Sequence, residues 1–392
     1  MSETYTQTET TSGGETLLFS VLAFIIGITG ICYSIRYQFD SETKELKKEQ
    51  ALASGSHLVA SLTPETAASM EGKLVYYTAD AKADQAVKDP ITGVNANALR
   101  LSRRVESYSW VESSDSDTKN IPILGGTRTT TTYTYKKEWT KHPVDSSKFH
   151  YHIDTHANPK PVLTTQDFNA GRVLAGNYVI PHTMLEKVPI NDSLDPKAAL
   201  NVATLTTKLK RPVHLADSVI YIGKDSSHPE VGDLKVTYYE APNGPVSVVA
   251  QKSKNTFVPF PTRGADVFLI QPGIVPVKSV FKHAQEELQE DIFGKRCLGL
   301  LCTWIAAFLL LAPFRRVFEP IPFISDLADE MSVWLSVIAA FVVNGLMLAG
   351  IWLVFKPGFA LLVVAAVVVI SFVVSGAASL FKRTFRPATV QH

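Results

Sequence analysis

The chain has almost no net charge, few cysteines and no ionisable residue inside its longest apolar runs, and each scarcity excludes something. Its 38 Lys and Arg against 37 Asp and Glu leave a formal net charge of +1 over 392 residues. A nucleic-acid binder would show a basic patch and a raised pI, so that class is disfavoured. Cys32, Cys297 and Cys302 lie in or at the edge of apolar runs. They form neither a CxxC pair nor a framework able to staple a secreted domain. No GxSxG elbow, P-loop, HExxH helix or Rossmann glycine pattern occurs. The glycines of TSGG (11–14) and ILGG (123–126) lack the following helix and lysine that phosphate binding needs, and read as turns. There is no internal repeat, and low complexity is confined to the polar N-terminal tail.

Four apolar runs, 16–35, 297–314, 331–355 and 357–381, are each long enough to cross a bilayer, which takes about 20 residues of helix. The first is too long for a cleaved signal peptide, has no basic flank and ends in a poor cleavage site, so it reads as a retained anchor. The last two are separated only by Lys356, with KPG as the turn. None of the four holds Asp, Glu, Lys, Arg or His, which argues against a pump or coupled transporter. Four crossings put both termini on one side and residues 38–294 on the other. Arg315, Arg316, Lys382, Arg383 and Arg386 favour cytoplasmic termini, opposed by Arg36, Lys295, Arg296, Lys356 and the acidic residues Glu3, Glu9 and Glu15.

The segment between the first two runs is large enough to be a mixed globular domain. Residues 74–79, 104–112, 129–139, 234–241 and 246–251 alternate and are rich in β-branched and aromatic side chains, as half-buried strands are. Residues 104–112 and 129–139 are expected to pair across a loop at 113–126. Residues 234–251 read as a hairpin with APNGP as its turn. A helix is expected over 194–209, with Asp195 before Pro196 as its cap. A second, amphipathic one is expected over 277–292, lying on or near the membrane surface.

The stretch KFHYHIDTHANP (148–159) carries the most chemistry. In an extended chain His150, His152, Asp154 and His156 project from one face, a plausible first shell for zinc. The same residues could equally decorate a strand. HPEVGDL sets Glu230 and Asp233 before a strand; two carboxylates can share acid–base work, but Pro-Glu-Val-Gly-Asp is also an ordinary turn, and the turn is preferred.

The succession RVESYSWVES, TYTYKKEW, SSKF…HANP, HPEVGDLKV and FVPF, in a chain with one N-terminal and three C-terminal spans, resembles the transmembrane protein 43 (LUMA) family. The residues that carry the resemblance are Glu106, Trp110, Val111 and Glu112; Glu138 and Trp139; His156, Asn158 and Pro159; and Pro229 through Leu234, including Glu230, Gly232 and Asp233, with Pro259 and Phe260. The resemblance implies a multi-pass protein with cytoplasmic termini and a large lumenal domain. In animals it implies an organiser of the endoplasmic reticulum and inner nuclear membrane that associates with itself, emerin and lamins. Related bacterial proteins have no lamina to serve. Of the four candidate ligands, the family pattern implies only His156, which favours the structural reading of the histidines and gives His156 a turn-holding role.

The expectation is therefore an α+β protein with four transmembrane helices, one N-terminal and three C-terminal, flanking a β-rich mixed extramembrane domain. Its parts are a polar cytoplasmic tail (1–15), helix 16–35, a lumenal or periplasmic domain (36–296), helices 297–314, 331–355 and 357–381, and a basic tail (382–392). The expected role is a non-enzymatic membrane scaffold without cofactor or nucleic-acid partner. Its expected partners are membrane lipid, further copies of itself and, in an animal, emerin-like proteins and lamins. The expected location is the endoplasmic reticulum or inner nuclear membrane, or a bacterial inner membrane. An accessory subunit of a channel and a membrane-anchored metal-dependent hydrolase are the alternatives. Ala23 and Gly27 in the first span and Gly376 in the last are candidate helix-packing positions for self-association.

Overall fold

The computed structural model describes residues 3–11, 13–121, 126–151, 155–318 and 322–358, with isolated positions between 361 and 369. Its principal elements in chain order are β1 (Glu3–Thr11), α1 (Gly13–Leu58), β2 (Leu74–Ala83), β3 (Ala98–Ile121), β4 (Gly126–Thr140), β5 (Val213–Ala216), β6 (Val219–Ile222), β7 (Leu234–Pro242), β8 (Gly244–Ser253), β9 (Leu269–Pro272), α2 (Val277–Leu310) and α3 (Pro322–Phe355). They group into two compact units, one of residues 3–8, 51–117 and 130–285, the other of 9–50, 118–129 and 286 onward.

The first unit is built on two sheets. One runs β1-β4-β3-β7-β6-β5; the other runs from β9 through β8 and three short strands to β2, and a β8–β2 pairing closes the circuit. Their inner faces share one core, in which Val75, Val173, Ile180 and Val248 of one sheet join Leu101, Val105, Ile220 and Val236 of the other. The alternating pattern explains these strands: Val105 lies opposite Val236 in the β3–β7 ladder, and the same-face neighbours follow at period two. An ion pair is sealed into the core. Arg103 Nη1 lies 2.6 Å from Asp89 Oδ2, and both side chains are essentially inaccessible. Tyr238 and Thr92 donate to the same carboxylate oxygen at 2.6 and 2.9 Å.

Several local expectations are corrected here. Residues 234–251 are not a hairpin, since β7 pairs with β3 and β6 while β8 pairs with β2 and β9 in the other sheet. Neither Asn243 nor Gly244 has the positive φ a two-residue type I′ turn needs. Asn243 instead passes the chain between sheets, accepting from the Ala83 N–H at 2.9 Å and donating to the Asn97 carbonyl at 3.0 Å. β8 is buried along 246–250, which one exposed hairpin partner could not achieve. Residues 104–112 and 129–139 do neighbour each other, but as parts of the longer β3 and β4, so most of the expected loop is strand. The helix expected over 194–209 is broken. Asp192–Leu194 joins β7, Asp195 caps a 3-10 turn, and Asn201 caps a short helix, Val202–Leu209. The polar tail is also structured in part: its Thr-rich alternation forms β1 on the outer edge of β4.

The helix α1 does not end with the apolar run at residue 35 but continues to Leu58, and α2 runs unbroken from Val277 to Leu310. The amphipathic 277–292 stretch is thus the first part of a membrane-length helix and not a separate one lying on the surface. The boundary set at residues 296 and 297 falls inside this helix. Among the described residues three helices, Leu18–Leu58, Val277–Arg315 and Leu327–Phe355, are long and apolar enough to cross a membrane. Most of the run 357–381, Gly376 included, lies outside the described residues.

Contacts along α1 explain how these helices associate. A Cβ on Gly27 would come within 2.7 Å of the Ala306 carbonyl oxygen and the Leu310 nitrogen of α2. The glycine thus lets the two backbones touch, as small residues do where no hydrophobic drive separates helix from lipid. Gly27 is therefore taken by a contact within the chain, while Ala23 is half-buried. Further along, Ser34 and Thr303 hydroxyls lie 2.7 Å apart and Gln38 donates to both. Beyond the apolar run the seam turns ionic. Glu42 accepts from Arg296 at 3.0 Å and from the Trp352 indole at 2.8 Å, Glu45 pairs with Lys295 at 2.8 Å, and Glu49 pairs with Lys356 at 2.6 Å. Such half-buried pairs contribute little net stability, but losing one partner is costly, so they lock helix register.

Candidate functional site

The described residues of the histidine stretch form turns and bends, not a strand. Asp145 accepts from the Ser147 N–H and caps a 3-10 turn over Ser146–Lys148, after which the chain bends at residues 150 and 151. His150 and Tyr151 are therefore not part of an extended run. His152 and Asp154 lie outside the described residues. His150 and His156 face different partners, and among the described residues no three His, Cys, Asp or Glu side chains are placed to hold a metal.

His156 is 1% exposed. Its ring stacks on Tyr135 with centroids 4.6 Å apart and meets the Trp110 ring edge-on at 4.3 Å. Its Nε2 lies 3.2 Å from Glu3 of β1, and its Nδ1 lies 3.1 Å from the Thr155 hydroxyl. His150 is exposed, stacks flat on Tyr133 at 4.2 Å, and places Nε2 2.6 Å from Gln7 Oε1. Tyr5 fills the space between, 5.9 Å from both Tyr135 and Tyr151. Glu112 supports this floor by accepting from the Tyr135 hydroxyl and, at 2.6 Å, from the His150 N–H. Burial and the Glu112 carboxylate push the Tyr135 phenol up to about 12. The result is an aromatic and histidine groove along the β4 edge, holding Glu3, Tyr5 and Gln7, which share one face of β1.

The groove is joined to the rest of the unit by the other motif residues. Asn158 accepts from the Trp110 N–H at 2.8 Å and donates to the Trp110 carbonyl at 2.9 Å. Its side-chain amide thus extends the β3 ladder by one position. Pro159 packs against Gly232, where a Cβ would lie 2.6 Å from the proline ring and where φ is +97°. Only glycine suits that place. Asp233 is buried and accepts from Tyr221 at 2.6 Å, Arg211 at 2.9 Å and the Glu230 N–H at 2.9 Å. Glu230 itself is exposed and 3.6 Å from Lys224, so the two carboxylates do not form a shared acid–base pair. Pro229 is half-buried at the start of that turn. Trp139 lies between Tyr108 and Tyr221 with Lys235 over its ring. Glu138 pairs at the surface with Lys136. Glu106 stands apart and lines an open cleft of about 530 Å³ with Arg104, Lys141, His142 and Tyr239.

Six of the motif residues, Trp110, Glu112, His156, Asn158, Gly232 and Asp233, thus converge on joints between segments and on the groove. Tyr135, Tyr151, Tyr5, Gln7 and Arg211 complete the arrangement and were not singled out by sequence reasoning. The alternating tyrosines of YTY (133–135) and the single tyrosine of the tail were the available signal.

The family model described as Transmembrane protein 43 matches residues 107–357, which takes in all six of these positions. The chain belongs to the transmembrane protein 43 family. It is 27% identical over 361 residues to Transmembrane protein 43 of Homo sapiens and 26% to that of Mus musculus, with 86% of each chain covered. The Transmembrane protein 43 homolog of Drosophila melanogaster is 26% identical over 353 residues, covering 87% of this chain and 89% of that one. No solved structure matches. Membership of this family and three apolar helices make the chain an integral membrane protein. These relatives are named as membrane proteins and none has an enzymatic name.

Proposed function

We propose that the chain is a multi-pass membrane scaffold that organises protein complexes through self-association and partner binding. The observation that supports this reading is the use made of the motif residues. Six of them build joints and a strand-receiving groove, and they bring together no nucleophile with a base, nor a set of ligands. In the proposed topology a fourth span over 357–381 follows the three described helices, both termini face the cytoplasm, and the β-rich domain lies across the membrane. Lys295, Arg296 and Lys356, three of the four cations that oppose this orientation, each sit against a carboxylate of α1, which offsets the cost of keeping them on the translocated side. In an animal cell the compartment would be the endoplasmic reticulum and inner nuclear membrane, with emerin-like proteins and lamins as partners; in a bacterium it would be the inner membrane.

Purification in native nanodiscs, with mass measurement and identification of co-purifying proteins, tests the scaffold reading. A homo-oligomer carrying at least one stoichiometric membrane partner is expected. A monomer without partners at every accessible concentration would refute it. Protease digestion of sealed cytoplasm-out vesicles tests the orientation, since the domain should survive until detergent is added.

A further inference from the structure

The apolar run of α1 ends at Ile35 while the helix continues, so the residues that follow stand just outside the hydrocarbon core. Tyr33, Arg36, Tyr37, Asp40 and Lys44 recur at i, i+3, i+4, i+7 and i+11, and therefore share one face of α1. With Lys295 of α2 they line an open cleft of about 350 Å³, within the range of small-molecule sites. Arg36 follows the last apolar residue, and Lys44 lies about 12 Å further along the axis. Helical side chains lean toward the helix N-terminus. The Lys44 stem therefore points back toward the bilayer and brings its ammonium toward the level of the lipid phosphates.

The charges of this cleft are only partly used within the protein. Lys295 is held by Glu45 at 2.8 Å. Arg36 lies 3.9 Å from Asp40, and their side chains are 85% and 69% exposed. Lys44 is exposed as well. Arg36 and Lys44 against Asp40 leave one net positive charge, the complement of a single phosphodiester. Tyr33 and Tyr37 set phenol hydroxyls at the depth where tyrosines gather in membrane proteins. Below them on the same face, Ile26 and Leu22 are 49% and 50% exposed, and so present apolar surface to lipid chains.

We propose that this cleft binds the headgroup of an anionic phospholipid, with Arg36 and Lys44 on its phosphodiester and Leu22 and Ile26 against its acyl chains. A zwitterionic headgroup fits less well, because its own ammonium cancels the charge that Arg36 and Lys44 match. The site goes beyond the scaffold reading. It requires that α1 cross the bilayer, in either orientation.

The test assembles the full chain in nanodiscs of equal parts phosphatidylglycerol and phosphatidylcholine, extracts it in mild detergent, and identifies retained lipid by native mass spectrometry. Each Lys or Arg near an anionic membrane surface is worth about fivefold. One phosphatidylglycerol per chain is therefore expected, preferred about fivefold or more over phosphatidylcholine. Arg36→Gln with Lys44→Gln should remove the preference. Both positions are exposed, so the fold is kept, and Arg36→Lys with Lys44→Arg should retain the lipid. Lys47→Gln, exposed on α1 but outside the cleft, should retain it too. Equal retention of the two lipids overturns the proposal. So does a preference that survives the double Gln change, or one lost as fully in Lys47→Gln. Millimolar glycerophosphate should not displace the lipid; displacement would assign the cleft to a soluble phosphate ester instead. A monomer without protein partners would refute the scaffold reading and leave this lipid count unchanged, so the two fail separately.

Discussion

Replacing Asn158 with Ala should destabilise the β-rich unit by about 2–4 kcal/mol. The magnitude follows from two bonds. The Asn158 amide satisfies both the N–H and the carbonyl of Trp110, at 2.8 and 2.9 Å, and the tryptophan is only 9% exposed. A buried backbone group left without a partner costs about 1–3 kcal/mol, and two are left here. Asn158 is half-buried, so water entering the truncated site recovers part of that, which sets the upper figure. For a unit of this size each kcal/mol corresponds to about 2–4 °C, so the melting temperature should fall by about 4–16 °C. Asn158→Asp keeps the acceptor for the Trp110 N–H but sets a negative charge against the Trp110 and Val144 carbonyls, and should cost at least as much. Thermal unfolding followed by tryptophan fluorescence reads both, with the half-buried surface change Glu138→Ala as a control expected within about 0.5 kcal/mol. An Asn158→Ala protein that melts within about 2 °C of the parent would show that the amide is not a ladder position.

Four further outcomes are expected. Burial raises the Asp89 carboxyl, but hydrogen bonds from Tyr238 and the Ile91 N–H and the Arg103 charge outweigh it and hold the group below its ordinary value. Its stabilising contribution is therefore full above about pH 4 and lost as pH falls through the lower folded-state value; Asp89→Asn should flatten that acid limb in unfolding titrations. Tyr135 acts in the opposite sense, stabilising below about pH 10 and losing its contribution as pH rises through about 12, so Tyr135→Phe should reduce the alkaline loss. Gly27→Ile should disrupt the α1–α2 contact itself, lowering thermal stability in nanodiscs; a variant with unchanged stability but weaker self-association would return Gly27 to an intermolecular role. His150→Gln should change stability by no more than about 0.5 kcal/mol, and near-stoichiometric zinc in the parent that this change abolishes would restore the metal reading.

The parts of this protein legible in its sequence are those whose cause is local. Twenty consecutive apolar residues without a charge specify a membrane-length helix whatever surrounds them, and alternation over 74–79, 104–112 and 129–139 specifies strands because a half-buried pleat demands it. The motif pieces identified the family for the same reason, since each is read along the chain. Partnership is not local. Whether β8 folds back on β7 or crosses to another sheet depends on how many faces must be buried, and the tail became a strand only because β4 offers an edge. His156 was visible as a residue, but its place between Trp110, Tyr135 and Glu3 depends on segments about 20 to 150 positions away. The order of apolar and polar residues along the chain determined that it enters a membrane and carries a β-rich domain. Only the tertiary structure decided that Asn158 completes a ladder, that Gly27 is occupied within the chain, and that β1 lies against His150 and His156, because each depends on which distant backbone comes within hydrogen-bond or van der Waals reach.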